Sequence, residues 1–333
     1  MTTPPPLEYR NRRTGLLLFG IFEIILGAIC ALFIPLILFA RMVARQQVYA
    51  SQPPPPLAPA IAIYGLLAVA LVWLGVGSIL ARRWARALLL CASAVALCVG
   101  VIAGVLGAFM MPQIWSAMAQ SGQPAIPPAA FIVVKVITAI VMLVIYIIIP
   151  GGLFLFYRSS HVKRTCEMLD PVDRWTDRCP LPVLALCLVS AFGGAMMLGM
   201  MAAIKAFPLF GLFVSGGWCT VLMLVLAGLQ FFLAAGLYRL QIRAWWINLA
   251  VYLFFAVSGV VTFWRVDVAE LYVKMGWDRH TAAVTGQMLD LPVFKWFVSL
   301  STASFLVWLL CVRRYFPVRA SPPAAAPASL GGQ

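Results

Sequence analysis

Apolar residues along this chain do not alternate with polar ones; they come in eight long runs separated by short polar segments. The runs lie near 15–40, 61–81, 85–111, 131–157, 181–203, 218–238, 244–264 and 291–312. Each is long enough to cross the hydrocarbon core of a bilayer, which takes about 20 helical residues. In lipid a spanning segment must satisfy its own backbone, and apolar runs of this length do so as α-helices. The expected fold class is all-α: a polytopic integral membrane bundle of about eight transmembrane helices.

The polar punctuation repeats. Arg82-Arg83-Trp84-Ala85-Arg86-Ala87 closes one apolar run, and Gln241-Ile242-Arg243-Ala244-Trp245-Trp246 occupies the same place among the runs of the second half. Gly122-Gln123 precedes Pro128 as Gly286-Gln287 precedes Pro292. The pattern predicts two like-oriented four-helix repeats, at 14–157 and 181–315, joined by a loop at 158–180. Polar or Pro/Ala/Gly-rich tails at 1–13 and 316–333 are expected to be disordered. Parallel repeats of this kind occur in transporters, with sites at the repeat interface. They also arise by duplication in proteins that transport nothing.

Composition agrees with a lipid environment. Mean hydropathy is +0.99 and 63% of residues are hydrophobic, where soluble domains have roughly half. Charged residues make up 10% of the chain, yet the net charge is +14. A basic excess can mark a nucleic-acid partner, but here it forms no continuous basic face, and no nucleic acid is expected. The charges instead cluster between runs. Sixteen of the 24 basic residues fall in 10–13, 82–86, 158–178, 239–243 and 313–319. By the positive-inside rule these segments are cytoplasmic, as are both termini. The expected location is a cytoplasmic membrane of bacterial type. The first run follows Arg10, Arg12 and Arg13 but exceeds the 7–15 apolar residues of a cleavable signal, so it reads as an uncleaved span.

Six of the eight cysteines lie in apolar runs, where the thiol acts as a small hydrophobe, and no disulfide framework is implied. Cys166 and Cys179 share the polar loop with His161, but the spacing matches no paired-cysteine zinc pattern, so no metal or other cofactor is expected. The chain has two histidines, and it carries no His-Glu-x-x-His, no Gly-x-Ser-x-Gly and no phosphate-binding glycine loop. Catalytic residues are therefore not assigned.

Glu23, between Phe22 and Ile24, is the first candidate for function. An ionisable group inside a span is costly unless paired, protonated or hydrated. It suits a proton relay or solute contact, or a hydrogen-bonded acid between helices. Aligning the halves on Gly27 and Gly194 sets Ser190 opposite it, so the acid is not duplicated. Gln230 and Asn248 are the other amides well inside spans and are tentative partners for a ligand with Glu23. Such amides also act as plain interhelical hydrogen bonds.

The loop at 158–180 is the densest polar cluster. Cys166, Asp170, Trp175, Asp177 and Cys179 are its candidate docking residues for a protein partner or for a second copy. The inner arginine clusters, flanked by Trp84, Trp245 and Trp246, are expected to contact anionic lipid headgroups. Gly100-x-x-x-Gly104 predicts close helix packing. Lys135 and Lys295 are expected to extend toward the opposite headgroups. Val268, Leu271, Tyr272 and Met275 predict a short helix lying on the outer leaflet, with Glu270 and Lys274 paired four residues apart. Two functions follow: a permease-like protein binding a small solute between the repeats, or a non-transporting scaffold or accessory subunit docking through the loop.

Overall fold

The computed structural model describes residues 10–46, 57–120, 128–201, 204–275, 279, 282–283, 286, 289–290 and 292–316. The Gly122-Gln123 pair, Gln287, His280 and most of both tails lie outside the described residues.

Among the described residues, eight helices are long and apolar enough to span a membrane. The first half holds α1 (Arg13–Gln46), α2 (Ala58–Ile79), α3 (Arg83–Gln120) and a fourth span built from α4 (Pro128–Leu143), a π-helical turn (Val144–Ile148) and α5 (Ile149–Arg158). The loop contains α6 (Ser160–Leu169) and a 3-10 turn (Trp175–Arg178). The second half holds α7 (Leu181–Met200), α8 (Gly217–Tyr238), α9 (Ile242–Arg265), the short α10 (Val268–Lys274) and α11 (Pro292–Val312). At 1.5 Å per residue, the 34 residues of α1 reach about 51 Å, so this helix overhangs a core about 30 Å thick.

Helix pairs form where glycine lets backbones touch. A Cβ on Gly20 would lie 2.7 Å from the carbonyl of Gly75, and a Cβ on Gly75 would lie 2.7 Å from that of Gly20. This reciprocal contact brings α1 and α2 together. Further along, Gly27 faces the carbonyl of Ala68 and the side chain of Val72, as Gly194 of α7 faces the carbonyl of Ala227 and the ring of Phe231 on α8. Gly100 packs on the carbonyl of Tyr146 in the π-helical turn, while Gly104 and Gly107 face open space. The small-residue motif in α3 thus packs at its first glycine only.

Two turns share one geometry. After α2, Ala81 takes a left-handed φ of 51°, its N–H donates to Ser78, and the N–H of Arg82 donates to the carbonyl of Gly77. After α8, Leu240 takes a φ of 54°, its N–H donates to Leu237, and the N–H of Gln241 donates to Gly236. These are Schellman-type stops, which cap the last carbonyls of a helix. In each, the glycine lies against the alanine that follows the turn, Ala85 or Ala244.

The packed core sits toward the loop. Leu16, Tyr157, Val162, Leu184, Leu237, Trp245 and Leu309 are buried there in one cluster. At the other face, α4 packs against little beyond the π-helical turn that continues it. Lipid chains are as apolar as leucine, so burial alone does not draw spans together. The main buried cluster collects where polar contacts add to it, on the loop face.

Three features differ from the sequence expectations. A β-hairpin joins α7 to α8, with β1 (Ala206–Leu209) paired antiparallel to β2 (Leu212–Ser215). Its tip amides, Phe210 and Gly211, donate to the buried hydroxyls of Ser258 and Thr262 on α9 at 2.9 and 3.0 Å. Second, α10 forms with Asp267 as its cap and the Glu270–Lys274 pair at 2.7 Å, and two of the four apolar residues expected on the leaflet, Val268 and Leu271, are buried against protein. Third, the Lys295 ammonium is held 3.0 Å from Asp290, so it does not extend freely to the headgroups. A carboxylate within reach offers it more than water does at that depth.

Candidate functional site

Glu23 is fully buried on α1. The Tyr157 hydroxyl, at the end of α5, donates to its Oε1 at 3.0 Å. Tyr157 and the Ser78 hydroxyl, from the last turn of α2, lie 2.7 Å apart, and Ser78 donates to the carbonyl of Leu16 at 3.1 Å. The second carboxyl oxygen of Glu23 has no partner. Because Tyr157 and Ser78 belong to the loop-side ends of their helices, the chain of hydroxyls runs from Glu23 toward the loop face. Helix α6 covers that end: Val162, Thr165 and Cys166 are buried, and Thr165 accepts the N–H of Arg12 at 3.2 Å.

The sequence offered Gln230 and Asn248 either as ligand contacts together with Glu23 or as interhelical hydrogen bonds. Both amides are within spans, but no hydrogen bond joins either to Glu23 among the described residues. The Oε1 of Gln230 is buried without a partner, and Asn248 is buried on α9. An open cleft of about 260 Å³ lies elsewhere. It is an apolar cleft between α9 and α11, walled by Ala256, Val257, Val260 and Ala303. It does not touch Glu23, Gln230 or Asn248.

The loop is clamped on the first of the two matched turns. Asp170 is the centre. Arg174 grips it through two nitrogens, the shortest contact being 2.6 Å, Arg82 stands 3.5 Å away, and the N–H of Arg83 at the start of α3 donates to it at 3.3 Å. The Arg174 hydrogen bonds hold the Asp170 carboxyl below the usual carboxylate range, together with the Arg83 amide and the charge of Arg82. Arg83 itself reaches Asp173 at 2.7 Å, Asp177 at 3.7 Å and Glu167 at 3.9 Å. Asp177 also accepts the N–H of Arg174 at 2.9 Å. On the other side, the Tyr238 hydroxyl donates to the carbonyl of Trp175 at 2.8 Å, and the two rings meet edge to face. The loop therefore bridges the end of α2 and the end of α8.

Of the five loop residues singled out from the sequence, Cys166, Asp170 and Cys179 are buried and turned inward. Burial pushes the Cys166 thiol up to about 11, which leaves it a poor nucleophile. Asp177 is engaged with Arg174, and Trp175 is the one with a large exposed apolar surface. The outward ridge includes residues not singled out: Met168 is 67% exposed, Leu169 46% and Val172 60%, beside Trp175 at 44%. The apolar segments flanking the Asp170-Pro171 turn were the signal that could have found them.

Compared with protein-family models, with curated proteins and with solved structures, the chain gives no match.

Proposed function

We propose that this multi-pass membrane protein is a non-transporting scaffold or accessory subunit. The observation that carries this reading is the sealing of Glu23. Its side chain is fully buried and bonded to Tyr157, which is itself held by Ser78, and the 260 Å³ cleft is apolar and not lined by it. A solute pathway needs polar groups converging on an accessible space. Glu23 instead bonds to Tyr157, which meets Ser78 of a third helix, as interhelical hydrogen bonds do. The outward ridge of Met168, Leu169, Val172 and Trp175 supports docking of a protein partner on the loop face.

The matched turns and the matched glycine contacts of Gly27 and Gly194 support an origin of the chain as two parallel repeats. The basic residues on the loop face support its assignment to the cytoplasm, with both termini on that side.

A permease-like reading has one observation in its favour: the orphaned oxygens of Glu23 and Gln230, each of which lacks a partner that a bound solute or water could supply. Flux measurements in proteoliposomes decide between the two. Under the scaffold reading, wild type and Glu23→Gln show the same proton leak under an imposed pH gradient. A gradient-driven flux present in wild type and abolished in Glu23→Gln overturns it in favour of a permease.

A further inference from the structure

The two matched turns differ in charge. At the first, a carboxylate sits at the start of α3: Asp170 accepts from the Arg83 N–H and is ringed by Arg82 and Arg174. The second turn presents the same backbone stop and the start of another helix, α9. Around it stand Arg239, Arg243 and Arg313, all exposed, and among the described residues no acid pairs with them. Gln241 supplies no side-chain cap to the first amides of α9. The arginines do not occupy the aligned positions of Arg82 and Arg83; Arg239 caps the end of α8, Arg243 lies in the first turn of α9 and Arg313 directly follows α11.

Arg313 is held in place. Its guanidinium lies 5.2 Å from the Trp246 ring and 5.7 Å from that of Trp245, whose indole N–H donates to the carbonyl of Leu309 at 3.1 Å. Helical spacing sets Arg243 one turn from Trp246 and on the face of the exposed Ile247 and Phe254, which run on into the apolar span. An exposed indole at this position marks the membrane interface.

We propose that the turn at Arg239–Arg243, with Arg313, is a binding site for the phosphate of an anionic phospholipid, whose acyl chain lies along Ile247 and Phe254. Asp170 shows what this backbone turn receives in the first half. In the second half the anion comes from the bilayer. Guanidinium forks match phosphate oxygens and donate to two at once. The apolar stripe running away from the cations selects a lipid over a free anion. The arginines at Arg82 and Arg83, by contrast, are already neutralised by the loop and offer no such site.

Native mass spectrometry of the delipidated full-length protein in detergent tests this, with dioleoyl phosphatidylglycerol and dioleoyl phosphatidylcholine as probes. Wild type is expected to retain phosphatidylglycerol about thirtyfold better, from about two productive guanidinium contacts. Arg243→Gln with Arg313→Gln should bring the ratio to near one, while Arg265→Gln at the far end of α9 leaves it unchanged. Gln241→Asp is a second, fold-preserving variant: an aspartate at the cap of α9 imitates Asp170 and should also abolish the preference. A preference that survives both variants, or is missing in wild type, overturns the proposal. Displacement of the lipid by millimolar inorganic phosphate also overturns it, by making the site one for a soluble anion.

Discussion

Glu23 stands out in its apolar run, and its surroundings explain how it is tolerated. The bond from Tyr157 links residues 134 positions apart, and Ser78 enters from a third helix. Removing the Tyr157 hydroxyl leaves a buried acid with neither oxygen partnered. Tyr157→Phe is expected to destabilise the protein by about 1–3 kcal/mol in thermal denaturation in detergent. Glu23→Gln keeps an acceptor oxygen for Tyr157 and should cost less than Tyr157→Phe; the reverse order would mean that Tyr157 is not its principal support. The acid was legible in the sequence because charge inside an apolar run is costly. Its partners were not, because tyrosine and serine near span ends are common and only the crossing of α1, α2 and α5 selects these two.

At the scale of elements, the spans were legible because length and hydropathy fix where a helix crosses lipid, although α1 and α3 continue six and nine residues past their apolar runs. Their pairing was not. Glycines are frequent in spans, and the sequence pointed to Gly100 and Gly104 together, whereas only Gly100 meets another backbone. The contrast yields a prediction. Gly20→Val or Gly75→Val drives a side chain into the facing carbonyl and is expected to cost about 1–3 kcal/mol. Gly104→Ala enters open space and should leave the melting temperature unchanged or raised. Equal losses at both sites would contradict the packing of α1 on α2. The hairpin between α7 and α8 escaped notice for a related reason: its eight paired residues are too few for a hydropathy pattern, and its anchoring hydroxyls, Ser258 and Thr262, come from α9.

The whole molecule is fastened at one face. The loop joins the end of α2 to the end of α8 through Asp170 and Trp175, and the core lies directly beneath it. Asp170→Asn removes the charge that holds Arg174 and Arg82, and is expected to cost about 1–3 kcal/mol and to open Arg174 and Arg178 to trypsin. Unchanged protection would mean the clamp is not what orders the loop. The pH dependence has a definite sign. The Asp170 carboxyl is depressed by Arg174, so its contribution is complete above the ordinary carboxylate pKa of 3.8 and is lost as pH falls through its lower folded value. Loop protection should therefore be constant from pH 7 to 5 and fail only in stronger acid, whereas Asp170→Asn should show no such step from this residue.

Hydropathy and charge by themselves determined that the chain is a membrane bundle of eight helices, and roughly where each helix begins, because transfer into lipid is a property of local sequence. Tertiary structure alone decided which polar groups meet. Glu23 was given to Tyr157, with no hydrogen bond to Gln230 or Asn248 among the described residues. Cys166, Asp170 and Cys179 were turned inward, and the exposed ridge passed to Met168, Leu169 and Val172. The reason is physical: lipid solvates apolar faces equally well in any arrangement, so helix partners are chosen by close backbone contact, hydrogen bonds and ion pairs. Those depend on crossings between residues that are far apart in the chain.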